Sequence, residues 1–283
     1  YLMKELIYEL NNLRIEISFK SFDELRLILS FCQQNKLNKI NIPCKNNLKK
    51  DFLLNSIRIS REEFPNLDLI PHFSILHEFK RNRVNTIESF IEFFNVVKRL
   101  GCNELLLISG SQKRSTLDAS STLSYLNEKK LFSYSDLSIG VAFNPYLNSI
   151  LFKKEIIKLE KKLQSGLVKS VWIQFGTEFT LLESRIGILK KLIFAAEKAN
   201  YNKTNIKLFG SILIPSKQFL ARFKYRPWKG VYCSKEFLES VDSASNLVTK
   251  LLKLYKKFDI CPLIETDVSN DDKLNSLLTI LQS

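Results

Sequence analysis

Eight times along this chain, a short apolar run rich in β-branched residues is followed by a longer stretch with helical spacing. That alternation constrains the fold more than any other feature. The predicted strands are 14–19, 39–43, 67–75, 104–110, 137–144, 170–175, 206–213 and 258–264. They read as continuous hydrophobic runs rather than as alternating ones, the pattern of parallel strands covered on both faces. Between them the apolar residues recur at i, i+3, i+4 and i+7. Ile87, Phe90, Ile91, Phe94 and Val97 form such a stripe over 86–100, which Gly101 ends. Further helices are predicted over 22–34, 151–164, 180–200, 238–257 and 271–281, with one over 2–10 ahead of the first strand. Eight βα units in 283 residues predict an α/β chain forming a single (β/α)8 TIM barrel over 1–283, with an extra N-terminal helix. The rival is a doubly wound open sheet. Its glycine-rich first βα turn is missing here, and no linker or composition shift divides the chain.

Composition bounds the function classes. Apolar residues make up 45% of the chain, enough for a large core. Forty-three Lys and Arg stand against 29 Asp and Glu, a net charge of +14. Such a balance favours anionic partners: nucleic acid, a polyanionic cofactor or an anionic membrane surface. Lysine drift on solvated helix faces explains it equally well. The five cysteines, Cys32, Cys44, Cys102, Cys233 and Cys261, form no CxxC pair and no zinc spacing. They suit structural thiols in a reducing compartment, the cytoplasm or an organelle matrix such as the mitochondrial one. Two histidines, His72 and His77, are too few for a His-rich metal site, so no metal is expected. No apolar stretch is long enough to cross a membrane. The chain begins at Tyr1, which fits a leader ahead of it.

In a (β/α)8 barrel, chemistry gathers at the C-terminal ends of the strands. The candidates there are few. Glu16 lies inside strand one between Ile15 and Ile17, and a carboxylate so placed is costly unless paired or functional. His72 follows Pro71 in strand three. Ser109, Gly110 and Ser111 close strand four, and Asn144-Pro145-Tyr146 closes strand five. Gln174 interrupts the apolar run of strand six, and Lys162 lies on the helix before it. Each has a bland counterpart: an in-strand ion pair, a satisfied turn, or a loop hydrogen bond.

Several of these stretches resemble the methylenetetrahydrofolate reductase family of flavin-containing (β/α)8 barrels, over about 14–264. I-P-H-F-S resembles the family's Pro-His-hydrophobic-Thr/Ser strand three. G-C-N-E-L-L-L-I-S-G-S resembles its strand four, which closes in Arg-Gly-Asp. L-S-I-G-V-A-F-N-P-Y-L-N resembles its strand five, which closes in Pro-Glu-x-His-Pro. L-E-K-K-L-Q-S-G with S-V-W-I-Q-F resembles its Lys-x-x-x-Gly helix end and Thr-Gln-Phe strand. F-G-S-I-L-I-P-S resembles its strand seven, and R-I-E-I-S-F-K-S its strand-one Glu region. The resemblance implies FAD over the barrel mouth, NAD(P)H as reductant and a folate-type substrate. It makes Glu16 the acid that protonates the folate ring nitrogen. It places His72, Ser109, Gly110, Ser111, Ala142, Asn144 and Lys162 around the flavin, with Gln174 holding the folate.

The chain departs from that pattern where charge matters most. Ser109-Gly110-Ser111 stands in place of Arg-Gly-Asp. Tyr146 and Asn148 stand in place of the Glu and His of strand five, and I-E-T-D lacks the family's late Arg. Losing one charge-assisted contact costs roughly 1.5–3 kcal/mol, about tenfold to a hundredfold in affinity. Three readings therefore stand side by side. The first is a divergent flavin reductase with reduced or lost activity. The second is a non-catalytic barrel serving as a structural or binding subunit of a larger assembly, mitochondrial or ribonucleoprotein. The third is a protein that contacts nucleic acid through basic clusters at 45–50 and 80–83.

Overall fold

The computed structural model describes residues 10, 12–44, 50–78, 82–110, 117–132, 138–199 and 205–282. The strands are β1 (Arg14–Glu16), β2 (Lys39–Ile42), β3 (Asp68–Ser74), β4 (Glu104–Ile108), β5 (Ser138–Phe143), β6 (Val168–Ile173), β7 (Lys207–Ile212) and β8 (Cys261–Ile264). They close in sequence order, every pair parallel, with β8 returning to β1. The predicted barrel is thus the observed one. The described helices are α1 (Phe22–Gln34), α2 (Lys50–Glu63), α3 (Ile75–Glu78), α4 (Arg83–Arg99), α5 (Ala119–Glu128), α6 (Ser149–Gln164), α7 (Phe179–Ala199), α8 (Lys217–Tyr225), α9 (Lys235–Glu239), α10 (Val241–Lys257) and α11 (Asp271–Gln282). Residues 2–9 of the predicted N-terminal helix lie outside the described residues.

Two corrections to the predicted elements have a local cause. The helix expected over 238–257 is broken at Ser240, whose extended backbone and side chain cap α10 by accepting from Ser243 N–H. Helices α2 and α5 escape the apolar periodicity because hydroxyls share their inward faces. Ser56 and Ser60 are buried beside Leu53 and Ile57 on α2, and Ser120 and Thr122 beside Leu123 and Leu126 on α5. Both α2 serines donate to the carbonyl four residues back, so their burial leaves no hydroxyl unpaired.

Outward-facing strand residues such as Ile15, Ile40, Leu105, Val141, Val171 and Ile264 pack under the helices in the main core. Inward-facing residues fill the barrel. Pairing register and strand tilt sort them into layers contributed by alternate strands. Arg14, Ile70, Gly140 and Phe209 lie lowest, then Asn41, Leu106, Trp172 and Leu263, then Glu16, His72, Ala142 and Ser211 nearest the C-terminal mouth. The Trp172 and Phe209 rings stack with centroids 3.9 Å apart. They find room because Gly140 opposes them: a Cβ there would lie 2.4 Å from Trp172 Nε1. Ile70, Leu106 and Leu263 complete this inner plug.

Candidate functional site

The site begins with polar groups that the barrel encloses. Arg14 is 2% exposed, and its guanidinium is fully used. Nε donates to Asn41 Oδ1 at 2.6 Å, Nη1 to Asp68 Oδ2 at 2.7 Å, and Nη2 to the carbonyls of Ile40 and Asp68. Burial pulls the Arg14 pKa below its ordinary value, opposed by the Asp68 carboxylate and by Glu104. Asn41, fully buried, then lies 2.9 Å from His72 Nε2 through its Nδ2.

This chain of contacts fixes a tautomer. Arginine has no acceptor, so the Asn41 atom facing Arg14 must be the oxygen. The amide NH2 therefore faces His72, and His72 Nε2 must accept. His72 is accordingly a neutral imidazole with its proton on Nδ1. The run Asp68–Arg14–Asn41–His72 carries this orientation from the lower barrel to the layer that also holds Glu16.

A partly buried carboxylate, Glu104, lies lower. Ser170 Oγ donates to Glu104 Oε1 and accepts from Trp172 Nε1 at 2.8 Å. Burial raises the Glu104 pKa, opposed by the Ser170 hydroxyl and by the Arg14 and Lys207 charges. A carboxyl with a raised folded-state pKa holds its proton to higher pH when folded than when unfolded. The cost to stability grows as pH rises from the unfolded-state pKa through that raised value, and it is gone only below the unfolded-state pKa. Glu104→Gln is therefore expected to raise the melting temperature at neutral and alkaline pH. The gain should shrink on acidification, because the amide oxygen still accepts from Ser170. Melting curves across pH check this; a variant less stable than wild type at every pH contradicts it.

The mouth lies above the Glu16–His72 layer. Gln174 follows β6 and is held there by its backbone N–H on Phe143 O at 2.8 Å. Glu265 follows β8 with its N–H on Ile212 O at 2.8 Å. Ser74, at the end of β3, is fully buried, and its hydroxyl has no hydrogen-bond partner among the described residues. Glu16, His72, Ala142 and Gln174 thus lie toward one end of the barrel. Ser111 lies outside the described residues.

The remaining candidates serve the fold. Gly110 turns the chain after β4 at φ +85°, and a Cβ there would lie 2.3 Å from Leu76 Cβ. Ser109 Oγ accepts the Ala119 N–H at 2.9 Å, at the start of α5. The Asn144 side chain accepts from Tyr146 N–H and donates to Gly230 O at 2.8 Å. Lys162 is not brought to the mouth. It lies outside the barrel wall on the inner face of α6, 5% exposed, donating to Ala142 O at 2.7 Å. Burial lowers its pKa. Tyr146, also past β5, is buried with its ring over Gly176, where any Cβ would collide with it. Ser109, Asn144 and Lys162 hold their polar atoms in internal hydrogen bonds, so these residues do not fit a flavin held as the resemblance implies.

Sequence reasoning missed Arg14, Asn41, Glu104 and Glu265. The first two carry a signal that inward alternation exposes: Arg14 and Glu16 share a face of β1, and Asn41 lies between Ile40 and Ile42. None of the five cysteines is bridged, and burial pushes the Cys102 thiol up to about 11. Among the described residues no group of His, Cys, Asp and Glu could hold a metal ion, and no helix is long and apolar enough to cross a membrane.

No family model and no curated protein matches the sequence. Among solved structures, the chain is similar to an uncharacterized protein from Clostridium thermocellum that binds two copies of 5-methyl-5,6,7,8-tetrahydrofolic acid. The TM-score is 0.58 at 10% identity, over 100% of this chain and 98% of that one. It is also similar to a putative 2,5-diketo-D-gluconic acid reductase B, with TM-score 0.53 and 10% identity over 96% and 82%. A third is the Xanthomonas albilineans dihydropteroate synthase with 4-aminobenzoic acid, with TM-score 0.50 and 11% identity over 96% and 93%. At such identities the likeness shows the fold alone. It establishes the (β/α)8 barrel and not the reductase family that the motifs resemble.

Proposed function

We propose that this chain is a folate-type barrel: it binds a reduced folate at its C-terminal mouth, while NAD(P)H-dependent, FAD-mediated reduction of methylenetetrahydrofolate is weak or lost. The observation that carries this reading is the meeting of Glu16, His72 and Gln174 at inward positions of one barrel end. A pterin ring presents N–H donors and carbonyl and ring-nitrogen acceptors along its edges. A carboxylate, an imidazole and a primary amide complement them, and the Ser74 hydroxyl adds a further donor. Two of the similar structures bind a tetrahydrofolate and a 4-aminobenzoic acid, the latter a fragment of the folate skeleton, which supports the ligand class. The same site with Ser109, Asn144 and Lys162 engaged internally supports weakened FAD binding.

In this reading Glu16 grips the donor edge of the pterin, Gln174 reads its amide edge, and His72 presents a fixed donor through Nδ1. The test is calorimetric titration with 5-methyltetrahydrofolate, alongside an NAD(P)H oxidation assay with excess FAD. Glu16→Gln is expected to weaken folate binding about tenfold to a hundredfold, the loss of one charge-assisted hydrogen bond. Neither protein should turn over appreciably. Absence of folate binding by the wild type overturns the reading. Robust turnover that collapses in Glu16→Gln restores the full reductase. The second reading, a non-catalytic subunit of a larger assembly, is favoured by the same internal engagement of Ser109, Asn144 and Lys162. It predicts no ligand at the mouth and no flavin colour.

A further inference from the structure

The excursion between β7 and α10 carries a feature that the folate reading does not use. From Lys217 to Lys235 the chain holds Lys217, Arg222, Lys224, Arg226, Lys229 and Lys235 and no carboxylate. Tyr225, Trp228 and Tyr232 are interleaved with them. We propose that this segment is a binding platform for single-stranded nucleic acid, with phosphates on the cations and bases on the three rings.

The excursion is anchored to the barrel. Leu220, Phe223 and Phe237 are buried. Phe219 stands between Phe237, at 6.2 Å, and Trp228, at 5.3 Å, and Phe237 meets Phe175 of the barrel wall at 5.9 Å. The turn at Gly230 is tied by Asn144 Nδ2, and Tyr232 O accepts the Thr177 N–H at 2.9 Å. Trp228 is thus fixed at one edge against Phe219 and Phe223, yet 48% exposed; Tyr225 is 93% exposed and Tyr232 37%. Trp228, held at one edge and open to solvent, loses little freedom when a base stacks on it, while Tyr225 is fully accessible to a second base.

The cations are available. Arg222, Lys224, Arg226, Lys229 and Lys235 have no ion pair among the described residues, and the adjacent Glu236 is engaged by Lys250 at 3.6 Å. By contrast Lys50, Lys158, Lys257 and Lys273 are each paired with a carboxylate. Beside the platform runs a groove of about 790 Å³, bounded by Tyr146, Phe223, Lys224, Pro227 and Tyr232. It gives an unstacked base room that a duplex has no base to fill.

An anionic bilayer is the competing partner for cations mixed with aromatics. It is bound by a continuous apolar helix face, with Trp, Phe and Leu together, sunk several ångströms into the headgroup boundary. Among the large hydrophobic side chains of 217–235, those exposed are Tyr225, Trp228 and Tyr232, all with polar handles. The leucine and phenylalanines face the barrel. That distribution fits stacking rather than insertion.

The test uses the full chain and a fluorescein-labelled oligouridylate of about 12 nucleotides, within the site size of one such platform. Anisotropy is read at several salt concentrations. The single strand is expected to bind more tightly than a duplex of equal length and to quench Trp228, since Trp172 is buried. Tyr225→Ala, at a position too exposed to affect folding, should lower single-strand affinity about tenfold. Arg222→Glu with Lys224→Glu and Arg226→Glu should abolish binding, and Lys229→Gln should flatten the salt dependence. Equal binding of duplex and single strand with no effect of Tyr225→Ala overturns the proposal in favour of unspecific charge. Binding to phosphatidylserine vesicles but not to the oligonucleotide overturns it in favour of a membrane. None of these variants alters Glu16, His72 or Gln174, so folate titration of the same variants distinguishes failure of this proposal from failure of the folate reading.

Discussion

Replacing Arg14 by methionine is expected to destabilise the protein by about 2–4 kcal/mol, which lowers its melting temperature by roughly 5–15 °C. Methionine fills much of the same volume, so the loss is not one of packing. It arises from four acceptors that Arg14 now satisfies: Asn41 Oδ1, Asp68 Oδ2 and the carbonyls of Ile40 and Asp68. Asn41 is fully buried and has no water to turn to. Asp68 is half-exposed in its side chain, so its carboxylate recovers solvation and the loss is smaller than for a fully enclosed pair. Burying the guanidinium also carries a cost, visible in its lowered pKa, which methionine removes. Arg14→Lys should rescue little, because a single ammonium cannot span the same fork of acceptors. Thermal unfolding followed by circular dichroism measures both variants. A methionine variant that melts within about 2 °C of wild type would show that the guanidinium contributes nothing net.

Asn41→Asp is expected to turn His72 from a neutral group into a cation. In the wild type the Asn41 NH2 faces Nε2, and an imidazolium there would set two donors against each other. The imidazole should therefore show the Nδ1–H tautomer in its nitrogen chemical shifts. Aspartate keeps an acceptor for Arg14 Nε and presents a second one to His72. A carboxylate at this distance favours the charged imidazole. The Arg14 charge, hydrogen-bonded to the same side chain, opposes part of that preference, as does the burial of His72 itself. Glu16, in the same layer, adds to it. Folate affinity in the variant should become pH-dependent where the wild type's is flat. A wild-type His72 that carries its proton on Nε2 would refute the assigned tautomer, and with it the role of Arg14 and Asn41 as positioning residues.

The barrel was legible in the sequence because its signals are local. Hydrophobic runs mark the strands, apolar stripes mark α1 and α4, and Gly101 at φ +78° ends α4 where the sequence placed a stop. Two helices that escaped, α2 and α5, have buried faces that use serine and threonine, which no apolar pattern records; the short α8, burying Leu220 and Phe223, escaped as well. For the candidate site, in-strand polarity singled out Glu16, His72 and Gln174, because a polar residue in an apolar run is conspicuous on its own, and the register sets all three at the C-terminal end of the barrel. What the neighbours of a side chain are is not local. Lys162 stands at the motif position of a ligand contact, yet its ammonium binds Ala142 O behind the wall. Arg14 looks like a strand-start charge bound for solvent, yet it is buried inside the barrel. The sequence by itself determined the eight-fold βα alternation and the polar residues that interrupt it, since both depend on spacing along one segment. Only the tertiary structure decided which polar atoms face the mouth, which are held by internal partners and which tautomer His72 adopts. Those properties come from hydrogen bonds between segments dozens of residues apart, whose meeting is set by the closure of the barrel.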